Sequence, residues 1–312
     1  MEPYQLNNPA ITVILPVYNG MKYLEQSVQS VLNQQFRNFE FFIIDDCSTE
    51  GSWAYLQSLT DQRVSIWRNE QNKGLFFNLN FLIRKSRGAL IKLWSQDDVM
   101  EPDCIGEVCS FHERYPQIGF SYTDRKYIDA AGMSLNINKY DDTPELISTE
   151  LHAHIAFITG SIAGNIANVT LCKAVLHKVG LFNEEMKISG DFEMWVRLAK
   201  DHPVGFLKKP LIHLRNHEEQ LSGQAKYFIY HLREDIETYN ILFNYVSPEM
   251  KKDGRLILRK RKLLFYYTLM LKSFFKGKWK TSYQFFKLLS KFDNIFLITW
   301  SYCKYKLILR NQ

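Results

Sequence analysis

Ile11-Thr12-Val13-Ile14-Leu15-Pro16-Val17-Tyr18-Asn19 and, twenty residues on, Phe39-Glu40-Phe41-Phe42-Ile43-Ile44-Asp45-Asp46-Cys47-Ser48 are the two stretches that decide the fold. Each is a short apolar run rich in β-formers that ends in polar residues. Between them Met21, Leu24, Val28, Val31 and Leu32 recur at helical spacing, so strand, helix and strand follow one another as a βαβ unit. Working outward, residues 64–67, 89–94 and 119–122 read as strands, and 75–85 and 103–115 as helices. This alternation predicts an α/β domain with a mostly parallel sheet and helices on its faces. Beyond it, the Ala131-Gly132 turn within 127–139 predicts a hairpin, residues 166–171 a strand, and 172–179 and 192–200 helices.

The 312 residues suffice for one large α/β domain plus an extension. From residue 225 onward the sequence turns helical, basic and aromatic, which divides the chain into 1–224 and a C-terminal helical extension, 225–312. The charge divides there too. Of 39 Lys and Arg, 18 lie after Gln224, against 6 of 33 Asp and Glu, giving an extension near +12 and a body near −6. Such a split points to an anionic partner for the extension. Basic clusters beside aromatic and leucine-rich stretches at 255–275 and 274–291 suit a helix lying on an anionic membrane surface, and equally a helical subdomain that packs its apolar face on the body.

The five cysteines, Cys47, Cys104, Cys109, Cys172 and Cys303, include no CxxC pair and no histidine at zinc-finger spacing. That argues against a disulfide framework or structural zinc and for a reducing, cytoplasmic compartment. Residues 1–10 lack the basic-then-apolar profile of a secretory signal, and no apolar run reaches the length of a membrane span.

In an open α/β sheet, ligands bind at the carboxyl ends of the strands. Four segments occupy such places: Pro16-Val17-Tyr18-Asn19, Asp45-Asp46-Cys47-Ser48-Thr49, Asn72-Lys73-Gly74, and Ser95-Gln96-Asp97-Asp98. Two adjacent carboxylates at a dry edge repel each other unless a cation or donor-rich ligand compensates them. Mg²⁺ or Mn²⁺ bridging a diphosphate is one such compensator. Singly, these residues also serve as helix caps and turn residues. A dinucleotide oxidoreductase shares the βαβ series, but Pro16-Val17-Tyr18-Asn19-Gly20 has no GxGxxG.

Taken in order, these segments and those that follow them carry a resemblance. Leu15 to Asn19, Ser30 to Phe36, Ile43 to Ser48, Asp97-Asp98, Glu101-Pro102-Asp103, Gly180 to Glu184 and Gly190 to Trp195 are together similar to the family 2 glycosyltransferases of the GT-A fold, over residues 11 to about 222. The resemblance implies an inverting, metal-assisted transfer of a sugar, of hexosyltransferase type, from a nucleotide-diphosphate sugar such as a UDP-sugar to a saccharide or lipid-linked saccharide. It also implies a place in bacterial surface-polysaccharide assembly, cytoplasmic or peripheral on the inner face of the membrane. Residue by residue, Asp46 would accept a hydrogen bond from the donor's base, with Tyr18 near the base and Pro16 lining the site. Asp97 would hold the ribose or a metal-bound water, and Asp98 would hold the Mn²⁺ or Mg²⁺. Asp191 falls at the catalytic base, and His217, in a segment that closes over the diphosphate, is a weaker metal candidate. Two positions depart from the pattern: Ser95, where many relatives have Asp, and Gly190, where many have Asp or Glu. The alternative is a nucleic-acid- or membrane-binding protein with a relic transferase body, although the resemblance itself implies no nucleic-acid partner.

Overall fold

Strands β1 (Ile11–Val17) and β2 (Phe39–Asp45) are buried almost end to end, as strands covered on both faces must be. Helix α1 (Met21–Leu32) connects them and turns Leu24, Val28 and Val31 inward at spacings of four and three. Our computed structural model describes residues 8–137, 141–217 and 225–310. After β2 come α2 (Ser52–Gln57), β3 (Val64–Arg68), α3 (Leu75–Lys85), β4 (Leu90–Leu93), β5 (Val99–Met100), α4 (Cys104–Arg114) and β6 (Phe120–Ile128). Short strands β7 (Ser134–Leu135) and β8 (Leu146–Ile147) precede α5 (Thr149–Thr159), β9 (Val169–Cys172), α6 (Lys173–Val179), α7 (Gly190–Asp201) and β10 (Val204–Arg215).

Among the described residues the strands form one sheet in the order β3-β2-β1-β4-β9-β6-β10-β5, with β7 added to β6 and β8 to β10. β3, β2, β1 and β4 are mutually parallel, as are β6 and β10; β9 runs antiparallel between β4 and β6. The sheet is therefore the expected α/β one with flanking helices, and its parallel half delivers the carboxyl ends of β1, β2 and β4 to one edge.

Several details differ from the sequence reading, among them the following. The strand expected at 166–171 starts only at Val169, after a 3-10 turn at Ile166–Asn168 that the Asn165 side chain caps. The helix expected from Phe192 begins at Gly190. The longest strand, β10, was not expected, because Pro210 lacks a ladder donor. The sheet accommodates it by shifting the β6–β10 register on both sides of Pro210.

Contacts divide the chain into two compact units, Met1–Thr149 with Ala163–Gln220, and Glu150–Ile162 with Leu221–Gln312. The boundary expected at residue 224 lies outside the described residues. Residues 150–162, on the body side of that boundary, cluster with the C-terminal helices. Those are α8 (Phe228–Phe243), α9 (Pro248–Leu258), α10 (Leu264–Phe275), α11 (Trp279–Phe292) and α12 (Ile295–Arg310). They enclose a core of Leu232, Ile236, Leu263, Tyr266, Phe285 and Leu289. Among the described residues no helix is long and apolar enough to cross a membrane.

Candidate active site

The loops that leave β1, β2 and β4 are laced together by hydrogen bonds. The Tyr18 amide donates to Gln96 Oε1 at 2.9 Å, and Gln96 Nε2 donates back to the Tyr18 carbonyl at 3.1 Å. The Asn19 amide donates to Ser48 Oγ, and the Thr49 amide to Asn19 Oδ1, both at 2.9 Å. Asn19 and Cys47 sit in the left-handed region, with φ of 49° and 64°. Non-glycine residues held there cost on the order of 1–3 kcal/mol and persist where neighbouring bonds over-determine them. Above this loop system Tyr18 is 47% exposed, a free ring face at the end of a buried strand. Pro16 lies past Ile14–Leu93, the last β1–β4 pair, where a missing donor breaks no ladder bond to β4.

Asp46 is buried, and its carboxylate accepts from Asn69 Nδ2 at 2.7 Å, the Lys73 amide at 2.8 Å and the Gly74 amide at 2.9 Å. Gly74, at φ 87°, makes the turn that aims those amides, a conformation open to glycine. Three of the roughly four lone-pair positions of a carboxylate are thus used, leaving one for a ligand donor. Asn69 follows β3 directly and also donates to Asn78 Oδ1 at 2.7 Å. The sequence reading did not single it out, although the strand-end rule applied to β3 points to it.

After β4, Asp97 and Asp98 diverge. Asp97 is partly exposed, and its Oδ2 lies 2.9 Å from His217 Nε2. Asp98 is buried, with Oδ1 accepting from the Arg215 amide at 2.9 Å and Oδ2 against Ser95 Oγ. Ser95 Oγ also lies 2.8 Å from Asp97 Oδ1. One hydroxyl hydrogen cannot serve two carboxylates, so the second contact calls for a proton on the carboxyl side. Of the two carboxyls, the buried Asp98 is the one whose surroundings favour the protonated form. Burial pushes its carboxyl up to about 7, the adjacent Asp97 charge adds to the rise, and the bonds from Ser95 and Arg215 oppose it.

A pH-dependent stability follows. Between the ordinary aspartate range and about 7 the folded chain keeps a proton that the unfolded chain releases, so Asp98 lowers stability as pH rises through that window. Asp98→Asn has no charge to desolvate, and Ser95 can accept from its amide while donating to Asp97. Without divalent cation, the variant should therefore melt above the parent at pH 8, by up to about 2–4 kcal/mol, and level with it near pH 4. Thermal melts at both values check this; an equal offset at the two pH values would refute it.

Arg215 ties the Asp97-Asp98 loop to its surroundings. The buried guanidinium donates from Nε to the Asp97 carbonyl at 2.8 Å, from Nη1 to the Asp129 carbonyl at 3.1 Å and from Nη2 to Gln26 Oε1 at 2.6 Å. It lies over the Tyr23 ring at 4.5 Å, and the same ring contacts His217 at 5.1 Å.

Asp191 lies inside the first turn of α7, where Ser189 holds the cap position without a side-chain cap bond. Its Oδ1 accepts from the Phe192 amide at 2.7 Å. The Gly190 departure has a steric cause: a Cβ there would meet the Phe76 ring at 2.7 Å. Phe76 belongs to α3, which starts at the Gly74 turn held by Asp46. Trp195 is fully buried, stacked on Phe120, and is core.

The residues at the β4 edge suit a divalent cation that arrives with a diphosphate. Among the described residues no three His, Cys, Asp or Glu side chains converge as a complete metal cage. Mg²⁺ and Mn²⁺ bound with nucleotides need none, since one or two protein ligands plus phosphate oxygens suffice. Asp97 and His217, joined here by a 2.9 Å hydrogen bond between Oδ2 and Nε2, and the buried Asp98 are the residues that would hold such a cation.

The family model described as Glycosyl transferase family 2 matches residues 12–165, which include the loops after β1, β2 and β4 but not Asp191, Arg215 or His217. That segment is a family 2 glycosyltransferase domain. The chain is 24% identical over 265 residues to an uncharacterized glycosyltransferase of Rickettsia felis, covering 85% of this chain and 42% of that protein. It is 25% identical over 232 residues to WcaA of Escherichia coli, a glycosyl transferase whose name provisionally assigns it to colanic acid biosynthesis; 71% of this chain and 78% of that protein are covered. The chain thus spans less than half of the Rickettsia felis relative and 36% of one from Rickettsia conorii. Among solved structures, residues 1–349 of Staphylococcus aureus TarS, crystallised in complex with UDP-GlcNAc, superpose with a TM-score of 0.67 at 18% identity, covering 90% of this chain and 80% of that one. The family 2 domain therefore has the GT-A fold.

Proposed function

We propose that the chain transfers a sugar, with inversion, from a nucleotide-diphosphate sugar to a saccharide or lipid-linked saccharide in surface-polysaccharide assembly. The observation that carries this is the joining of the β1, β2 and β4 loops into one edge bearing Tyr18, Asp46, Asp97 and His217. TarS, of the same fold, was crystallised with UDP-GlcNAc, which supports a UDP-sugar as the donor.

In this reading the exposed Tyr18 ring stacks on the base and Pro16 lines the site beside it. Asp46 uses its remaining lone pair to accept an N–H of the base, and the Asn69, Lys73 and Gly74 bonds hold it in place. Asp97 and His217 hold Mn²⁺ or Mg²⁺, with Asp98 available when Ser95 turns away. When bound, the cation neutralises charge that develops on the leaving diphosphate. Asp191 takes the proton of the acceptor hydroxyl as its oxygen bonds to the anomeric carbon and the bond to the diphosphate breaks.

A thermal-shift screen of nucleotides and nucleotide sugars with and without Mn²⁺ tests the donor site. A ligand at about 100 times its Kd stabilises by about 2.7 kcal/mol, expected here as a rise of roughly 5–10 °C. Asp97→Asn and His217→Ala should abolish the Mn²⁺-dependent part and leave the melting temperature without ligand within a few degrees. If no nucleotide raises the melting temperature at millimolar concentration with Mn²⁺, the donor reading fails.

A further inference from the structure

We propose that the outward face of α11 and α12, with the turn that joins α10 to α11, docks on an anionic lipid bilayer. From Gly254 to Gln312 the chain carries fourteen Lys and Arg and one acidic residue, Asp293. Asp293 is engaged locally, accepting from Arg259 Nε at 2.7 Å and Nη2 at 3.0 Å. Lys262 pairs with Asp235 of α8 at 2.7 Å, and the surplus that remains on these helices is open to a partner outside them.

The same face is apolar. α11 buries Ser282, Phe285 and Leu289 and exposes Trp279, Tyr283 and Phe286 at spacings of four and three. α12 buries Ile298 and exposes Phe296, Trp300 and Leu307, one stripe at spacings of four and seven; Phe296 is 80% and Trp300 70% exposed. In the turn, Phe274 packs edge-on against both Phe275 and Trp279, with ring centroids 5.6 and 4.5 Å apart. Lys276, Lys278 and Lys280 alternate with these rings and are exposed. Aromatic rings at headgroup depth bordered by lysines are what an interfacial helix presents to anionic lipid.

Charge complementarity selects the bilayer over other occupants. In an isologous dimer through this face, the lysines of one copy would oppose those of the other. Single-stranded nucleic acid takes basic grooves in which bases stack on rings, whereas Leu297 and Leu307 on this face offer no ring and suit acyl chains. With no helix among the described residues fit to cross a membrane, the contact is peripheral. Docking of this kind stands apart from the catalytic reading and would set the transferase at the surface where lipid-linked acceptors reside.

The test is flotation of the whole chain with vesicles of phosphatidylcholine, alone or with about 30 mol% phosphatidylglycerol, at about 0.05 and about 0.5 M salt. Binding to anionic vesicles should exceed binding to neutral ones at least about tenfold and weaken at least about tenfold at high salt. At about fivefold per lysine, the triple variant K276Q/K278Q/K280Q should lose about 100-fold. The double variant W279A/W300A should lose about tenfold or more. All five side chains are exposed, so parental melting temperatures confirm that the variants fold. The proposal is overturned if the parent ignores anionic vesicles at low salt, or if neither variant weakens binding. It is equally overturned by a dimer that W279A/W300A abolishes, or by RNA binding that anionic vesicles fail to displace.

Discussion

Asp191→Asn should lower sugar transfer by about 10²–10⁴-fold while leaving nucleotide-sugar affinity close to that of the parent. A general base acts as the acceptor proton leaves and contributes little to holding the donor, so its loss falls on turnover. The local structure makes the substitution clean. Asp191 is in the first turn of α7 and Ser189 has the cap position, so no cap is removed. The asparagine keeps a side-chain oxygen that can accept from the Phe192 amide, as Asp191 Oδ1 does at 2.7 Å. What is lost is the charge, whose interaction with the helix dipole contributes about 0.3–1 kcal/mol. A purely structural Asp191 therefore predicts a small fall in melting temperature and near-parental turnover. Calorimetry with donor and Mn²⁺, beside a transfer assay with any acceptor the parent uses, separates the two. Near-parental turnover would move the search for the base to Glu193 or Asp201, although Glu193 is already paired with Arg197 through two bonds.

How much of this was legible in the sequence depended on whether a residue's role is local. β1 and β2 declared themselves because strands buried on both faces are continuous apolar runs, and Asp46 and Asp97-Asp98 because polar residues just past such runs fall at the ligand edge. β10 did not, because Lys208, Lys209 and Pro210 interrupt its pattern, and the register shifts that tolerate Pro210 are a property of its pairing with β6. The Glu150–Ile162 segment lies far in sequence from the helices it joins, and α5 carries no sharp apolar stripe to announce a partner. Gly190 read as a missing carboxylate; its cause is the Phe76 ring, more than a hundred residues earlier in the chain. The resemblance gave Asp97 the ribose or a metal-bound water and Asp98 the metal, but the sequence carried no sign of their unequal burial, which places Asp98 behind Ser95 and Asp97 toward His217.

Arg215 is the clearest residue whose role was invisible, and truncating it should carry the largest stability cost of the substitutions considered. In sequence it belongs to the segment, with His217, that resembles one closing over the diphosphate; in the structure it ends β10, and its guanidinium donates to the Asp97 and Asp129 carbonyls and to Gln26 Oε1. Arg215→Ala keeps the main-chain bond to Asp98 Oδ1 but strips buried acceptors of their partner and removes a positive charge that favours the Asp98 carboxylate. Breaking a buried charged network of this kind costs about 3–5 kcal/mol, or a melting temperature lower by roughly 10 °C. Arg215→Lys tests whether charge or shape matters, since a lysine restores the positive charge but cannot reach three separate acceptors with one planar fork. It should recover less than half of the loss. Donor affinity should fall in both variants, because the Asp97 carbonyl that Arg215 holds belongs to the loop that carries the Asp97 side chain. Denaturant melts of parent, Ala and Lys proteins give the comparison. A loss below about 1 kcal/mol in Arg215→Ala would mean that water replaces the guanidinium at no cost and that the Ser95, Gln96 and His217 bonds, with the main-chain bond to Asp98, suffice to hold the loop after β4.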